Sequence, residues 1–349
     1  SGNVSIASGA TFQYSSSASG ASAKYQGNIT GAGTLIKDSN NGELRLMGNN
    51  TIANIEINQG ILDGRSDAGS LGGAGTTISL GDTSGSANAT LQFAGSLNFT
   101  TKAGIIVRAG SSGTKTMINL TGVVTENTAI TLNDDLTIND LNALTLGGVI
   151  SGTGGLTKIG AGTTTLSGSN TYSGGTTLTT GTLVIGNSAA AGSGTITQAD
   201  GTSLLKFDTT GTVANAMSIY NVATNQTITL SGNITAQNTT YDVASGTTTT
   251  LSGTISGSGG ITKNGTGTLL VTGNNSYNGS TVINAGTLNA ANANALGSNN
   301  TVEVNGGTLL VSTDNAINGK NIDLGGSGIG LAFSGNYSGL VNNLTLSNN

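Results

Sequence analysis

The segment from Ile150 to Leu183, ISGTGGLTKIGAGTTTLSGSNTYSGGTTLTTGTL, returns 105 residues later as ISGSGGITKNGTGTLLVTGNNSYNGSTVINAGTL, from Ile255 to Leu288, with 18 of 34 positions identical and no gap. A weaker copy, ITGAGTLIKDSNNGELRLMGNNTIANIEINQGIL, runs from Ile29 to Leu62 and begins 121 residues before Ile150. Unequal intervals of 121 and 105 residues suit a propeller or a tandem array of domains poorly. A solenoid absorbs them, because extra residues become loops on one face while neighbouring coils still stack.

Inside each copy, short apolar triplets alternate with glycine-centred turns. Gly155-Leu-Thr-Lys158 is followed by Gly160 to Gly162, then Thr163-Thr-Thr-Leu-Ser167, Gly168 to Gly175, Thr176-Thr-Leu178 and Gly181-Thr-Leu-Val184. Runs of three to five residues between such corners predict short strands, with Leu, Ile and Val pointing inward and Thr and Ser outward. Glycine supplies the positive φ that tight corners need. Lys158 and Lys263 are read as outward strand residues that discourage lateral pairing. The same texture continues between the copies, as in Ala129-Ile-Thr-Leu132 and Thr227-Ile-Thr-Leu230.

The fold expected is therefore all-β, a right-handed parallel β-helix (β-solenoid) running as one continuous body over residues 1–349. Its repeat motifs lie at 29–62, 150–183 and 255–288, within modules of about 105–120 residues. At roughly 20 residues per coil the chain makes about 17 coils. Outward Thr stacks on Thr, and corner Asn forms amide ladders from coil to coil.

Composition agrees. The 349 residues include 58 Gly and no Pro, Cys, His or Trp, with 3% aromatic and 8% charged residues. Proline inside a ladder would remove a donor, and with so few aromatic residues large aromatic anchors are not available to a core that small Leu, Ile and Val must fill. Apolar residues at 35% and a net charge of −5 separate the chain from disordered sequences, which combine low hydrophobicity with high charge. The acidic balance gives no electrostatic footprint for nucleic acid or an anionic membrane. No apolar run approaches the ~20 residues of a membrane span, and the chain begins at Ser1 without a charged-then-apolar leader, as expected of a processed or excised piece.

The ordered pattern Gly152 to Gly155, Leu156-Thr-Lys158, Gly160 to Gly162, Asn170-Thr-Tyr172 and Gly181-Thr-Leu183 resembles the passenger-associated transport repeat of type V autotransporters. It recurs with Lys263, Tyr277 and Gly286-Thr-Leu288. In the first copy Ile52 stands where the Tyr is expected and Gly60-Ile-Leu62 replaces Gly-Thr-Leu. The resemblance implies a β-helical passenger exported across the outer membrane through a C-terminal barrel that these residues do not contain. In that family the motif is implied to assist secretion and folding. An export route through the periplasm fits a chain without cysteine.

Without His or Cys, Ser-His-Asp and Cys-His nucleophiles and ordinary zinc sites are excluded. The remaining carboxylate candidates are Asp134-Asp135 with Asp140, as a Ca²⁺ ligand set or a glycosidase pair, against a solvated turn. Asp63, Arg65 and Asp67 form a second candidate, a ligand-contacting loop that breaks the repeat after Leu62, against an exposed ion-pair loop. Tyr172 and Tyr277 are read either as exposed sugar-stacking platforms or as residues packed at a corner. Lys158, Tyr172, Gly181, Lys263, Tyr277 and Gly286 are taken as structural signatures of the repeat. No catalytic residue, metal or cofactor is expected.

The function expected is a secreted passenger segment at the bacterial cell surface, serving as adhesin or spacer stalk rather than as an enzyme. A host-cell, matrix or neighbouring-cell ligand would be held by many weak contacts. The alternatives are a self-assembling extracellular filament protein and, with less support from so few charges and rings, a β-helical polysaccharide-degrading enzyme.

Overall fold

A computed structural model of the chain describes residues 2–15, 22–65, 69–95, 97–99, 102–299, 301–326, 328–335 and 341–347. The described residues are strands and turns without helix, and the parallel strands form a β-solenoid of about 15 turns. No helix among them is long and apolar enough to cross a membrane. The chain divides into two compact units, one of Ser1–Leu183 with Ala189–Gly194 and one of Val184–Ser188 with Thr195–Asn349.

In the first unit a regular coil carries three strands, as in Ile130–Leu132, Leu136–Asp140 and Ala143–Leu146. The next coil repeats them as Ile150–Gly152, Leu156–Ile159 and Thr163–Leu166, each parallel to the strand 20 residues before it. A coil of 20 residues is not universal: Thr77 pairs with Gly104, an interval of 27, and Ala89 with Lys115, an interval of 26. These longer coils explain why the chain makes fewer turns than a uniform 20-residue period predicts. Toward the N-terminus two long strands, Ile29–Leu46 and Thr51–Arg65, take the place of several short ones.

The second unit is built from the same parts. Seven parallel strands, from Gly211–Val213 through Thr248–Leu251 and Thr268–Val271 to Gly330–Phe333, form one sheet. A second ladder runs through Met217–Thr224, Ile234–Val243, Ile261–Asn264, Thr281–Ile283 and Thr301–Val304.

Strand parity places the core. Leu136 and Ile138 are buried while Thr137 between them is half-buried on the outer face, and the register keeps that parity from coil to coil. Stacked Leu, Ile and Val thus fill the inside, each worth about 1.5–3 kcal/mol when fully buried. Outside, Thr116, Thr137, Thr157 and Thr177 lie in register on four successive coils. Asparagine ladders form as the composition suggested: Asn284 Nδ2 donates to Asn264 Oδ1 at 2.9 Å, and Asn305 Nδ2 to Asn284 Oδ1 at 3.2 Å.

Candidate functional site

The residues that recur in all three copies converge on two corners of the coil. The first is built around lysine. Leu156 starts its strand pointing inward and Thr157 points outward, so Lys158 points inward, in register between Ile138 and Leu178. It is fully buried, and its Nζ donates to the carbonyls of Ile159 at 2.9 Å, Gly160 at 2.8 Å and, one coil on, Thr180 at 3.4 Å. Lys263 repeats this with Asn264 O at 2.7 Å, Gly265 O at 2.7 Å and Ala285 O at 3.1 Å. In the eroded copy Lys37 Nζ reaches Ser39 O at 2.5 Å and Gln59 O at 3.1 Å.

An ammonium carries three donors and no acceptor, so a corner where successive carbonyls turn inward satisfies it. Each lysine ties its own corner to the corner of the next coil. Burial lowers the Lys37 and Lys263 ammonium groups to about 8, opposed by the nearby charges of Asp38 and Asp242, and lowers that of Lys158 against Asp140. Lys37 and Lys263 remain largely protonated at neutral pH. Gly181 and Gly286 follow the acceptor carbonyls with φ of 74° and 67°. A Cβ would stand 2.4 Å from Gly160 O at the first and 2.4 Å from Gly267 O at the second, so these corners admit only glycine.

The second corner is built around asparagine. Asn170 Oδ1 accepts from Ile150 N–H at 2.8 Å, and its Nδ2 donates to Ala190 O at 2.6 Å, so one side chain spans three coils. Asn275 does the same with Ile255 N at 2.8 Å and Ala295 O at 2.8 Å, and Asn50 with Ile29 N at 2.7 Å and Ser70 O at 2.6 Å. Two residues on, Tyr172 and Tyr277 are fully buried, their hydroxyls 2.5 and 2.6 Å from Thr176 Oγ1 and Thr281 Oγ1. Burial pushes the Tyr172 phenol up to about 12 and raises that of Tyr277. Asn50, Asn170, Asn275, Thr176 and Thr281 were not singled out in sequence as spanning residues. Their signal was the equal spacing of Asn from Lys in the two strong copies.

Two expectations are corrected. Lys158 and Lys263 are not outward residues guarding an edge, because strand parity turns them into the core and carbonyls satisfy their charge. Of the two readings of Tyr172 and Tyr277, the packed corner holds, which leaves no ring face open to a ligand. Asp63 and Arg65 do not lie in a loop: they close the strand Thr51–Arg65, and Asp67 lies outside the described residues. Asp63 is fully buried and its Oδ2 accepts from Arg45 Nε at 3.0 Å and from Arg65 Nε, while Arg45 also holds Glu43 at 2.8 Å. Alternating charge across neighbouring strands makes this group an internally neutralised staple rather than an exposed ion-pair loop.

Asp140 is also separate from Asp134 and Asp135. It is buried at the far end of the strand Leu136–Asp140, accepting from Asn119 Nδ2 and Asn142 N at 3.1 Å each and from Thr164 Oγ1 at 3.2 Å. Five extended residues span about 16 Å, beyond the ~5–9.5 Å separating glycosidase carboxylates. Asp134 and Asp135 sit at the corner before that strand, Asp134 paired with Lys115 at 2.6 Å. Among the described residues no group of three or more His, Cys, Asp or Glu is placed to hold a metal ion.

Segments 156–185 and 261–290 match the passenger-associated-transport-repeat family. Both contain a lysine corner, a strand register of 20 residues and the closing Gly-Thr-Leu. The chain thus carries two copies of this repeat, consistent with an autotransporter passenger domain. Neither a curated protein nor a solved structure matches it.

Proposed function

We propose that this chain is a segment of an autotransporter passenger, exported to the bacterial cell surface and acting there as a spacer stalk with adhesive faces rather than as an enzyme. The observation that carries this reading is the threefold recurrence of the buried lysine and asparagine corners, two of them within matched passenger repeats. An internal clasp at each repeat serves a body whose task is to stay folded coil by coil outside the cell. The in-register rows of outward Thr and Asn supply a repetitive surface for many weak contacts with host-cell, matrix or neighbouring-cell ligands. A C-terminal outer-membrane barrel beyond these residues is part of the proposal.

The test places residues 1–349 between a secretory signal and an autotransporter barrel in a Gram-negative host. Protease added to intact cells is expected to find the segment outside, and immobilised matrix proteins to retain those cells. Periplasmic retention of a folded segment would sink the export reading, and display without retention would remove the adhesive part alone.

A further inference from the structure

The first unit carries a step in its corner lengths that creates a cleft. Residues 81–88 and 108–114 connect strands by long loops, and these stack, with Ser112 N–H bonded to Gly85 O at 2.9 Å and Thr114 N–H to Asn88 Oδ1 at 2.9 Å. The next two coils turn at the same place with only residues 133–135 and 153–155. Where long loops end and short corners begin, the surface drops, leaving an open cleft of about 300 Å³. That is the lower end of the ~300–1,000 Å³ of small-molecule sites. Uneven coil insertions are where solenoids place their binding surfaces.

Its lining defines the chemistry. Lys115 is buried in the wall, its Nζ held by Ser111 O at 2.6 Å and Asp134 Oδ2 at 2.6 Å, so its charge is already neutralised. Asp135 is exposed and accepts from Gly155 N–H at 2.7 Å through one oxygen only. Two carboxylates against one ammonium bar phosphate, sulfate and carboxylate ligands. Ser111 completes the wall with its Oγ sealed from solvent, so the side chains open to a ligand are Asp135 and the outward threonines. Thr137 and Thr157 extend the lining on adjacent coils in register, one strand spacing of ~4.8 Å apart.

A ligand matched to this set offers several neighbouring groups that both donate and accept, is uncharged, and is small. We infer that the step binds a neutral saccharide of one or two hexose units, with Asp135 accepting from sugar hydroxyls and Thr137 and Thr157 exchanging hydrogen bonds with them. The inference stands apart from the stalk reading, since the cleft needs neither export nor adhesion to matrix.

Isothermal titration of the purified chain with cellobiose, maltose and lactose, each beside glucuronate, tests it. At least one neutral disaccharide is expected to bind saturably, and glucuronate at least tenfold more weakly. Asp135→Ala is expected to weaken binding about tenfold through loss of a hydrogen bond to a charged group. The double variant Thr137→Val with Thr157→Val is expected to do likewise, and circular dichroism and the melting temperature check that both variants keep the fold. Absence of saturable binding by all three disaccharides, glucuronate binding as tightly as they do, or full affinity in both folded variants would overturn the assignment.

Discussion

Replacing Lys263 by methionine keeps the length and apolar stem of the side chain and deletes only the ammonium. Three carbonyls then lose their donor: Asn264 O, Gly265 O and Ala285 O, now at 2.7, 2.7 and 3.1 Å from Nζ. A buried acceptor left unmet costs about 1–3 kcal/mol. Gly265 and Ala285 are half-buried, so water re-satisfies part of the loss. The expected destabilisation is about 2–4 kcal/mol, close to two unmet carbonyls. Because coils contact only their neighbours, the loss is local. Native-state hydrogen exchange at pH 6.5, where the lysine is charged, reads it directly: amides in Ile261–Asn264 and Thr281–Ile283 are expected to exchange roughly 30- to 1,000-fold faster. Lys206→Met is the control, since Lys206 makes only a half-exposed contact of 3.6 Å with Asp208 and is expected to shift stability by no more than about 0.5 kcal/mol. Exchange in Lys263→Met that matches this control would refute the clasp.

Other buried groups give two more expected outcomes. Glu126 is 1% exposed, with Oε1 accepting from Thr128 N–H at 2.7 Å and Oε2 without a partner; burial pushes its carboxyl up to about 7, against the Thr128 hydrogen bonds and the Lys102 charge. The folded value lies above the unfolded one, so between about pH 4.5 and 7 the folded state binds more protons and stability falls as pH rises. Glu126→Gln is expected to abolish that fall and to stabilise the protein at pH 8 by on the order of 3 kcal/mol, read from urea midpoints at pH 5 and 8; an unchanged pH slope would contradict this. Asn275→Ala strands Ile255 N–H and Ala295 O and is expected to cost about 2–4 kcal/mol, measured by denaturant unfolding, with a loss under about 0.5 kcal/mol showing that the side chain does not bridge the coils.

Much of the coil was legible in sequence because its determinants are local. Period-two triplets and glycine corners predicted strands close to Leu156–Ile159, Thr163–Leu166 and Thr176–Leu178, and the unequal spacing of the copies anticipated coils of unequal length. The lysines were misread by treating charge as decisive for orientation, although counting parity from Leu156 and Ile261 already turns Lys158 and Lys263 inward. Contacts created by stacking were not legible. Asn170 meets residues 20 positions away on either side, and Asp63 meets Arg45 from 18 positions away, distances that mean contact only once the register is known. For the same reason Asp134 read as part of a solvated turn, whereas Lys115 reaches it from the preceding coil.

Repeat lysines that lie inside the solenoid and clasp its corners are shielded from reagents in solvent. Brief acetylation of the native protein at pH 7, with each site quantified by mass spectrometry, tests this placement most directly. Of the eight lysines, Lys37, Lys115, Lys158, Lys263 and Lys320 are buried, whereas Lys24 is exposed and Lys102 and Lys206 are half-buried. Lys24 and Lys206 are expected to react within minutes, and the five buried ones only as fast as their coils open. Labelling of Lys158 and Lys263 at the rate of Lys24 in the folded protein would contradict the account.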